Sequence, residues 1–174
     1  MIYPIQTGEQ NPILHTVCSP VERFDAALEN FAEDLITTMT TKNEYGQIGV
    51  GIAAPQVGDT RRVMVVTMNA FDSERNLHKR RKVQVMVNPE ILHESNLQVT
   101  LEEGCLSLPH LYGDVRRAAR VHAAWYTPSG TRVEKKLSGW DARIFLHELD
   151  HLNGILFTER MSGSPSYEPP TDEK

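Results

Sequence analysis

Five consecutive residues, His147-Glu148-Leu149-Asp150-His151, carry the strongest chemical signal in this 174-residue sequence. On a helix, positions i and i+4 project from one face, so His147 and His151 can each offer a ring nitrogen to one ion. Glu148 then stands on the adjacent flank, placed to take a proton from a water at that ion. The competing reading is a pair of surface or core histidines on an amphipathic helix. Apolar Ile144, Leu152 and Ile155 flank the motif and would partly bury these polar groups. Buried polar groups need partners, and a metal supplies one.

A catalytic metal site wants three protein ligands and one open position. The downstream sequence offers no third ligand of the usual protease kind. The position six residues after His151 is Phe157, and the later glutamates are Glu159, close behind the helix, and Glu168 and Glu173 in a proline-rich tail. Upstream, Glu102-Glu103-Gly104-Cys105-Leu106-Ser107-Leu108-Pro109 supplies a better candidate. A thiolate is a strong ligand for a borderline or soft divalent ion, and coordination keeps it deprotonated. Cys105 therefore completes the candidate ligand set, although a lone cysteine can equally be inert and buried. Cys18 has only His15 as a ligand-like neighbour and is read as structural. A third segment, Gly49-Val50-Gly51-Ile52-Ala53-Ala54-Pro55-Gln56, mixes small residues that permit close backbone approach with one neutral amide donor. It matches neither a dinucleotide fingerprint nor a phosphate-binding loop, so by spacing alone it reads as a tight turn.

Two helices must position these groups. The first falls within residues 20–40, where Phe24, Leu28, Phe31, Leu35 and Met39 form one apolar stripe. Its start is either a capping box at Ser19-Pro20-Val21-Glu22 or a later cap at Asp25. The second runs from about Trp140 to Asn153, with Ser138 as cap and Gly154 as left-handed stop. Between them the texture is β: Arg62–Met68, Val83–Val87, Leu97–Leu101, Val115–Trp125 and Thr131–Leu137 are rich in β-branched residues. Turn signals fall at Asn88-Pro89 and Pro128-Ser129-Gly130. Strands in succession without intervening helices favour antiparallel pairing, which makes the fold class α+β. The basic stretch Arg75–Lys82 reads as a solvated hairpin loop.

Composition bounds the rest. A net charge of −5 argues against a nucleic-acid coat or a polybasic membrane anchor. Forty per cent hydrophobic residues suffice for a core and exclude wholesale disorder. Two cysteines cannot build a disulfide framework. There is no apolar run long enough to span a bilayer and no targeting signature at the start, so a cytoplasmic protein is expected. Composition breaks after Met161. Residues 1–161 are expected to form a single catalytic domain and 162–174 a polar, proline-rich, flexible tail.

Taken together, the segments at 49–56, 103–107 and 147–151 resemble the three ordered motifs of the peptide deformylases, and a weaker resemblance extends from about Asn11 through Phe157. The resemblance implies partly open antiparallel sheets wrapped around a central motif helix. It implies removal of the N-formyl group from nascent polypeptides beginning with formyl-methionine, with these peptides as the partners. Cys105, His147 and His151 would hold one divalent ion, Fe(II) in the cell, with Ni, Co or Zn as substitutes. Glu148 would be the general acid/base. The Gln56 amide and the Leu106 backbone N–H would stabilise the oxyanion. A substrate strand would pair beside Val50, Gly51 and Gly104, and Val50, Leu101, Trp140 and Ile144 would wall a methionine pocket. The sequence departs from the family pattern at Leu146, where glutamine is common, and along His110-Leu111-Tyr112-Gly113-Asp114 at the rim. The run Ser138–Arg143 looks closer to an organelle-like branch. The tail is not the long basic helix that some members use to dock on ribosomes, so transient ribosome contact stays open. Two other readings remain: a small peptidase cutting internal bonds, and a non-catalytic scaffold with a structural metal.

Overall fold

The run Val63-Met64-Val65-Val66-Thr67-Met68 is apolar on both faces of a strand, which requires cover on both sides. The computed structural model, which describes residues 1–69 and 82–168, supplies that cover. Its elements in order are α1 (Ala26–Thr40), β1 (Gly51–Ala53), β2 (Val63–Met68), β3 (Lys82–Glu94), β4 (Gln98–Cys105), β5 (Leu108–Ala118), β6 (Arg120–Tyr126), β7 (Arg132–Ser138), α2 (Gly139–Leu152) and β8 (Ser166–Tyr167). One sheet has the order β1-β2-β3-β6-β7 and the other β4-β5-β8, with antiparallel pairing throughout. The fold is thus α+β, with two α-helices among the described residues. On one face of β2, Met64, Val66 and Met68 share a core with Trp125, Phe145 and Leu149 of β6 and α2. On the other, Val63 and Val65 share one with Leu28, Phe31, Leu35 and Met39 of α1. A third, smaller cluster of Leu14, Leu108, Val115, Leu156 and Phe157 lies behind β5. α2 touches strands of both sheets. No described helix is long and apolar enough to cross a membrane.

Several local expectations change. α1 starts later than its apolar stripe suggested: the Asp25 side chain accepts from Leu28 N–H at 3.1 Å and caps it, so the upstream Ser19-Pro20 box is unused. Phe24 falls outside the helix and packs its ring on Tyr126, at 5.6 Å between centroids. Asn88-Pro89 is not a turn. β3 runs through it with a register shift, and Asn88 adopts φ 51° while its side-chain amide bonds both backbone groups of Val21. The stretch Val115–Trp125 is not one strand: it breaks at Ala119, β5 joining one sheet and β6 the other. α2 begins after Ser138 as expected, though the serine side chain makes no capping bond, and Gly154 takes φ 72° beyond its end. The basic stretch lies outside the described residues except for Lys82, which opens β3. Beyond the composition break, Ser166–Tyr167 pair with β5, while 169–174 lie outside the described residues.

Candidate metal centre and cleft

The centre forms where α2 meets the end of β4. The i, i+4 spacing puts His147 and His151 on one face of α2, their rings edge-on with centroids 5.0 Å apart. Cys105 ends β4 at a register shift beside Gly104, where the chain turns into β5. Its Sγ lies 3.2 Å from His151 Nε2, and the candidate ligand atoms of Cys105, His147 and His151 all lie within 4.8 Å of one another. No other such cluster of metal-binding side chains occurs among the described residues. His147 is oriented by Glu103, whose Oε2 is 2.8 Å from Nδ1, leaving Nε2 for an ion. His151 Nδ1 and Glu148 Oε2 are buried with no hydrogen-bond partner among the described residues.

The electrostatics describe the same need for a cation. Burial alone would raise the Cys105 thiol, but the charge of His151 and hydrogen bonds from both histidines hold it well below its ordinary value. Burial would lower His147, yet bonds to Cys105 and Glu103 raise it well above its usual range. A thiolate is stable here only with positive charge between the rings, carried either by a ring proton or by a metal. One thiolate and two imidazoles suit a borderline first-row divalent ion rather than Ca or Mg. The donor set therefore fits the expected ion. Glu148 is pushed up to about 7, chiefly by burial, with the histidines opposing and Cys105 adding to the rise.

Around the centre lies a buried ion network that the motif reading does not contain. Glu103 accepts from Arg117 Nε at 2.6 Å and Nη2 at 2.9 Å, and from Arg143 Nη1 at 2.8 Å. Asp150 accepts from Arg117 Nη1 at 2.6 Å and from Arg160 Nε at 2.6 Å. Arg143 also donates to the carbonyls of Val115 and Val99, at 2.7 and 2.6 Å, tying α2 to both long strands of the small sheet. Burial opposes ionisation of Glu103, but its bonds to His147 and Arg117 hold its carboxyl below the carboxylate range. One sequence signal was available: Arg143 and Asp150 sit four before and three after His147, on or beside the motif face of the helix. Arg117, in a strand of mixed polarity, carried none.

The segment 49–56 supplies the opposite wall. Gln56 is buried; its Oε1 accepts from Ala53 N–H at 2.8 Å, which aims Nε2 at Ser107 Oγ (3.1 Å) and Cys105 Sγ (3.5 Å). Ser107 N–H also donates to the sulfur at 3.4 Å. Gly51 is where β1 crosses Glu148: a Cβ there would sit 2.8 Å from the Glu148 Cγ and Cδ and closer still to Oε1. Gly104 is equally constrained, since a Cβ would come within 2.7 Å of the Tyr112 ring. Between these walls opens a cleft of about 470 Å³. Val50, Gly51, Gln56, Gly104, Cys105, Leu106, Trp140, Ile144, His147 and Glu148 all line it. Leu101, expected in its wall, instead pairs with Val115 in β4–β5 and is not among the lining residues. His151 is buried behind it. Leu146 joins the apolar core of α2, and Cys18 is buried there too, its thiol pushed up to about 11 by burial.

A family model for polypeptide deformylase matches residues 2–166. The chain is 38% identical over 152 residues to a peptide deformylase of Mesorhizobium japonicum, covering 87% of this chain and 80% of that one. It is 42% identical over 149 residues to a peptide deformylase of Chromobacterium violaceum, covering 86% and 81%. Among solved structures, peptide deformylase from Thermotoga maritima superposes with a TM-score of 0.81 at 35% identity, covering 94% of this chain and 99% of that one. The Met-Ala-Ser-bound class I type b peptide deformylase from Acinetobacter baumannii gives 0.79 at 38% identity, covering 92% and 99%. Matches of this identity and coverage are evolutionary as well as architectural, and the chain belongs to the polypeptide deformylase family.

Proposed function

We propose that this protein removes the formyl group from formyl-methionine at the start of nascent polypeptides, using one divalent ion held by Cys105, His147 and His151. The observation that carries the reading is the convergence of those three ligand atoms within 4.8 Å beside the buried Glu148. The ion, Fe(II) as the resident species with Ni, Co or Zn as substitutes, supplies Lewis acidity when bound. Glu148 accepts the proton of the attacking water. With its carboxylate pushed up to about 7 before any ion is present, it is basic enough for that task and acidic enough to return the proton to the leaving amine. Gln56 Nε2, fixed by the Ala53 and Ser107 contacts, and the Leu106 N–H donate to the developing oxyanion; loss of one such donor typically costs about 2.7–4 kcal/mol of barrier. Val50-Gly51 and Gly104 present small residues at the cleft walls, which lets a peptide enter as an added strand. Trp140 and Ile144 supply apolar surface for the methionine side chain. The relative bound to Met-Ala-Ser supports a peptide of this kind as ligand.

The test is formate release from formyl-Met-Ala-Ser by metal-loaded protein under anaerobic conditions, with casein cleavage measured in parallel. Deformylation that disappears on adding a chelator and returns with Fe(II) or Ni is expected. Casein cleavage without formate release would replace the proposal with an internal peptidase, and inertness toward both would favour a scaffold.

A further inference from the structure

The segment that follows α2 folds back onto the centre and meets it twice. Past Gly154 the chain makes a single 3-10 turn, Phe157–Glu159, which Arg160 ends by donating its N–H to the Phe157 carbonyl at 3.0 Å. Phe157 is buried, and its ring stacks on the His147 imidazole at 6.3 Å between centroids and 24° between planes. Arg160 reaches the Asp150 carboxylate with two parallel bonds, Nε to Oδ2 at 2.6 Å and Nη2 to Oδ1 at 2.7 Å. The two side chains differ in exposure, 45% for Arg160 against 8% for Asp150. An ion pair with one partner so open to water adds little to folding. Its fork geometry, however, fixes where the buried carboxylate stands.

From Asp150 an unbroken series of bonds leads to His147. Arg160 gives the carboxylate two hydrogen bonds and Arg117 Nη1 a third, at 2.6 Å. The other two nitrogens of Arg117, Nε and Nη2, hold Glu103 at 2.6 and 2.9 Å. Glu103 Oε2 takes both Arg117 Nη2 and, at 2.8 Å, His147 Nδ1. Glu103, Arg117 and Asp150 are all buried. Without Arg160, Asp150 would keep one donor for a buried charge, and an underpaired buried carboxylate is costly. Relief comes from drawing Arg117 toward Asp150, or from Asp150 swinging to the water that replaces Arg160. A guanidinium is planar and rigid, so a shift at Nη1 turns Nε and Nη2 with it. Either movement therefore displaces Glu103 and rotates the His147 ring. The Phe157 stack confines that ring to its plane, and leaves rotation within the plane to the Glu103 bond.

We propose that Arg160 is a positioning residue for the metal centre, directing the His147 ring through Asp150, Arg117 and Glu103. The inference rests on the metal-dependent reading of that centre. Its test uses the full chain and three variants: Arg160→Gln, Arg160→Lys and Arg132→Gln. Arg132 is the control, equally exposed at 45% and paired with Glu134 and Glu90 on the five-stranded sheet, outside the network. Two readouts are taken: the Co(II) dissociation constant by chelator competition, and the NMR resonance of the His147 Nδ1 proton in Zn-loaded protein, which reports the Glu103 bond. Losing a direct partner of a metal-binding histidine typically costs about 10–100-fold in affinity, and a partner three bonds further out should cost less. Arg160→Gln should therefore weaken Co(II) binding by about three- to tenfold and move the His147 resonance. Arg160→Lys, which keeps the charge but not the fork, should fall between it and the native chain. Arg132→Gln should match the native chain in both readouts. A native dissociation constant and resonance in Arg160→Gln, even with a lowered melting temperature, would make Arg160 merely structural and overturn the proposal. Equal changes in Arg132→Gln would overturn it too. A native chain that binds neither Co(II) nor Zn would instead remove the reading beneath it.

Discussion

Gly51→Ala tests the link between the β1 wall and Glu148, the proposed acid/base carboxylate. The glycine sits in an extended strand, so alanine meets no backbone strain there. The new methyl carbon would lie 2.8 Å from the Cγ and Cδ of Glu148, where ordinary contact begins near 3.4 Å. Those two carbons must retreat by about 0.6 Å and Oε1 by more, or β1 must move by as much. A misplacement of 1 Å can cost about 100-fold in rate, so a loss in kcat on the order of 10–100-fold is expected, equal to about 1.4–2.7 kcal/mol of barrier. The stability cost should be small, about 0.5–1.5 kcal/mol for an off-rotamer side chain. The assay is formate release from formyl-Met-Ala-Ser, with metal content measured on the same sample, for the native chain, Gly51→Ala, Glu148→Ala and the double variant. If Gly51 acts through Glu148, the added methyl costs nothing more once the carboxylate is gone, because contacting residues are non-additive. Retention of kcat within about threefold at equal metal content would refute the reasoning. So would an equal loss in both backgrounds, or an effect confined to KM, which would assign Gly51 to substrate pairing alone.

Further outcomes are expected elsewhere in the site. Cys105→Ser replaces a thiolate by a poorer ligand and should leave the protein substoichiometric in metal by elemental analysis, with activity falling in proportion. Glu103→Gln leaves Arg117 and Arg143 buried with one charge fewer, and should lower stability by about 3–5 kcal/mol in denaturant melts. Because Glu103 is held below its unfolded value of 4.5, its contribution is complete above that pH and is lost as pH falls through and below it. The native chain should therefore lose stability more steeply below pH 4.5 than Glu103→Gln does. Glu148 behaves oppositely in the metal-free protein: raised from 4.5 to about 7, it contributes fully below 4.5 and loses that contribution as pH rises to 7. Metal-free native protein should thus lose up to about 3 kcal/mol relative to Glu148→Gln across that window, followed by thermal melts, and bound metal should flatten the difference.

The chemistry of the centre was legible because it depends on short spacings. The His147–His151 pair is brought together by helix geometry, and the same geometry sets Glu148 on the flank. The candidate third ligand could be named by elimination only: Cys105 is 42 residues from His147, and its approach depends on the β4–β5 turn falling at Leu106. Gln56 was legible as an amide in a small-residue segment, but not as the partner of Ser107 that fixes its direction. Leu101 shows the limit of position in a motif: one face of a strand can be named, but the cleft it meets depends on where the sheet lies.

Periodicity and composition located α2, β2 and β7 to within a residue or two, while α1 starts at Ala26, well inside the 20–40 span that its stripe marked. They could not divide Val115–Trp125, since β5 and β6 have the same texture and only Ala119 separates strands that join different sheets. Nor could they show that Asn88 is a bulge, for its φ of 51° is stabilised by Val21, 67 residues away. The Glu103–Arg117–Arg143–Asp150–Arg160 network belongs to the same class, joining β4, β5, α2 and the segment beyond it. Local sequence thus determined which groups could do chemistry, because covalent spacing on a helix or strand fixes which side chains share a face. Only the tertiary structure decided which carboxylate orients His147, which glycine leaves room for Glu148 and which rings border the cleft, because those depend on contacts between segments that covalent spacing does not constrain.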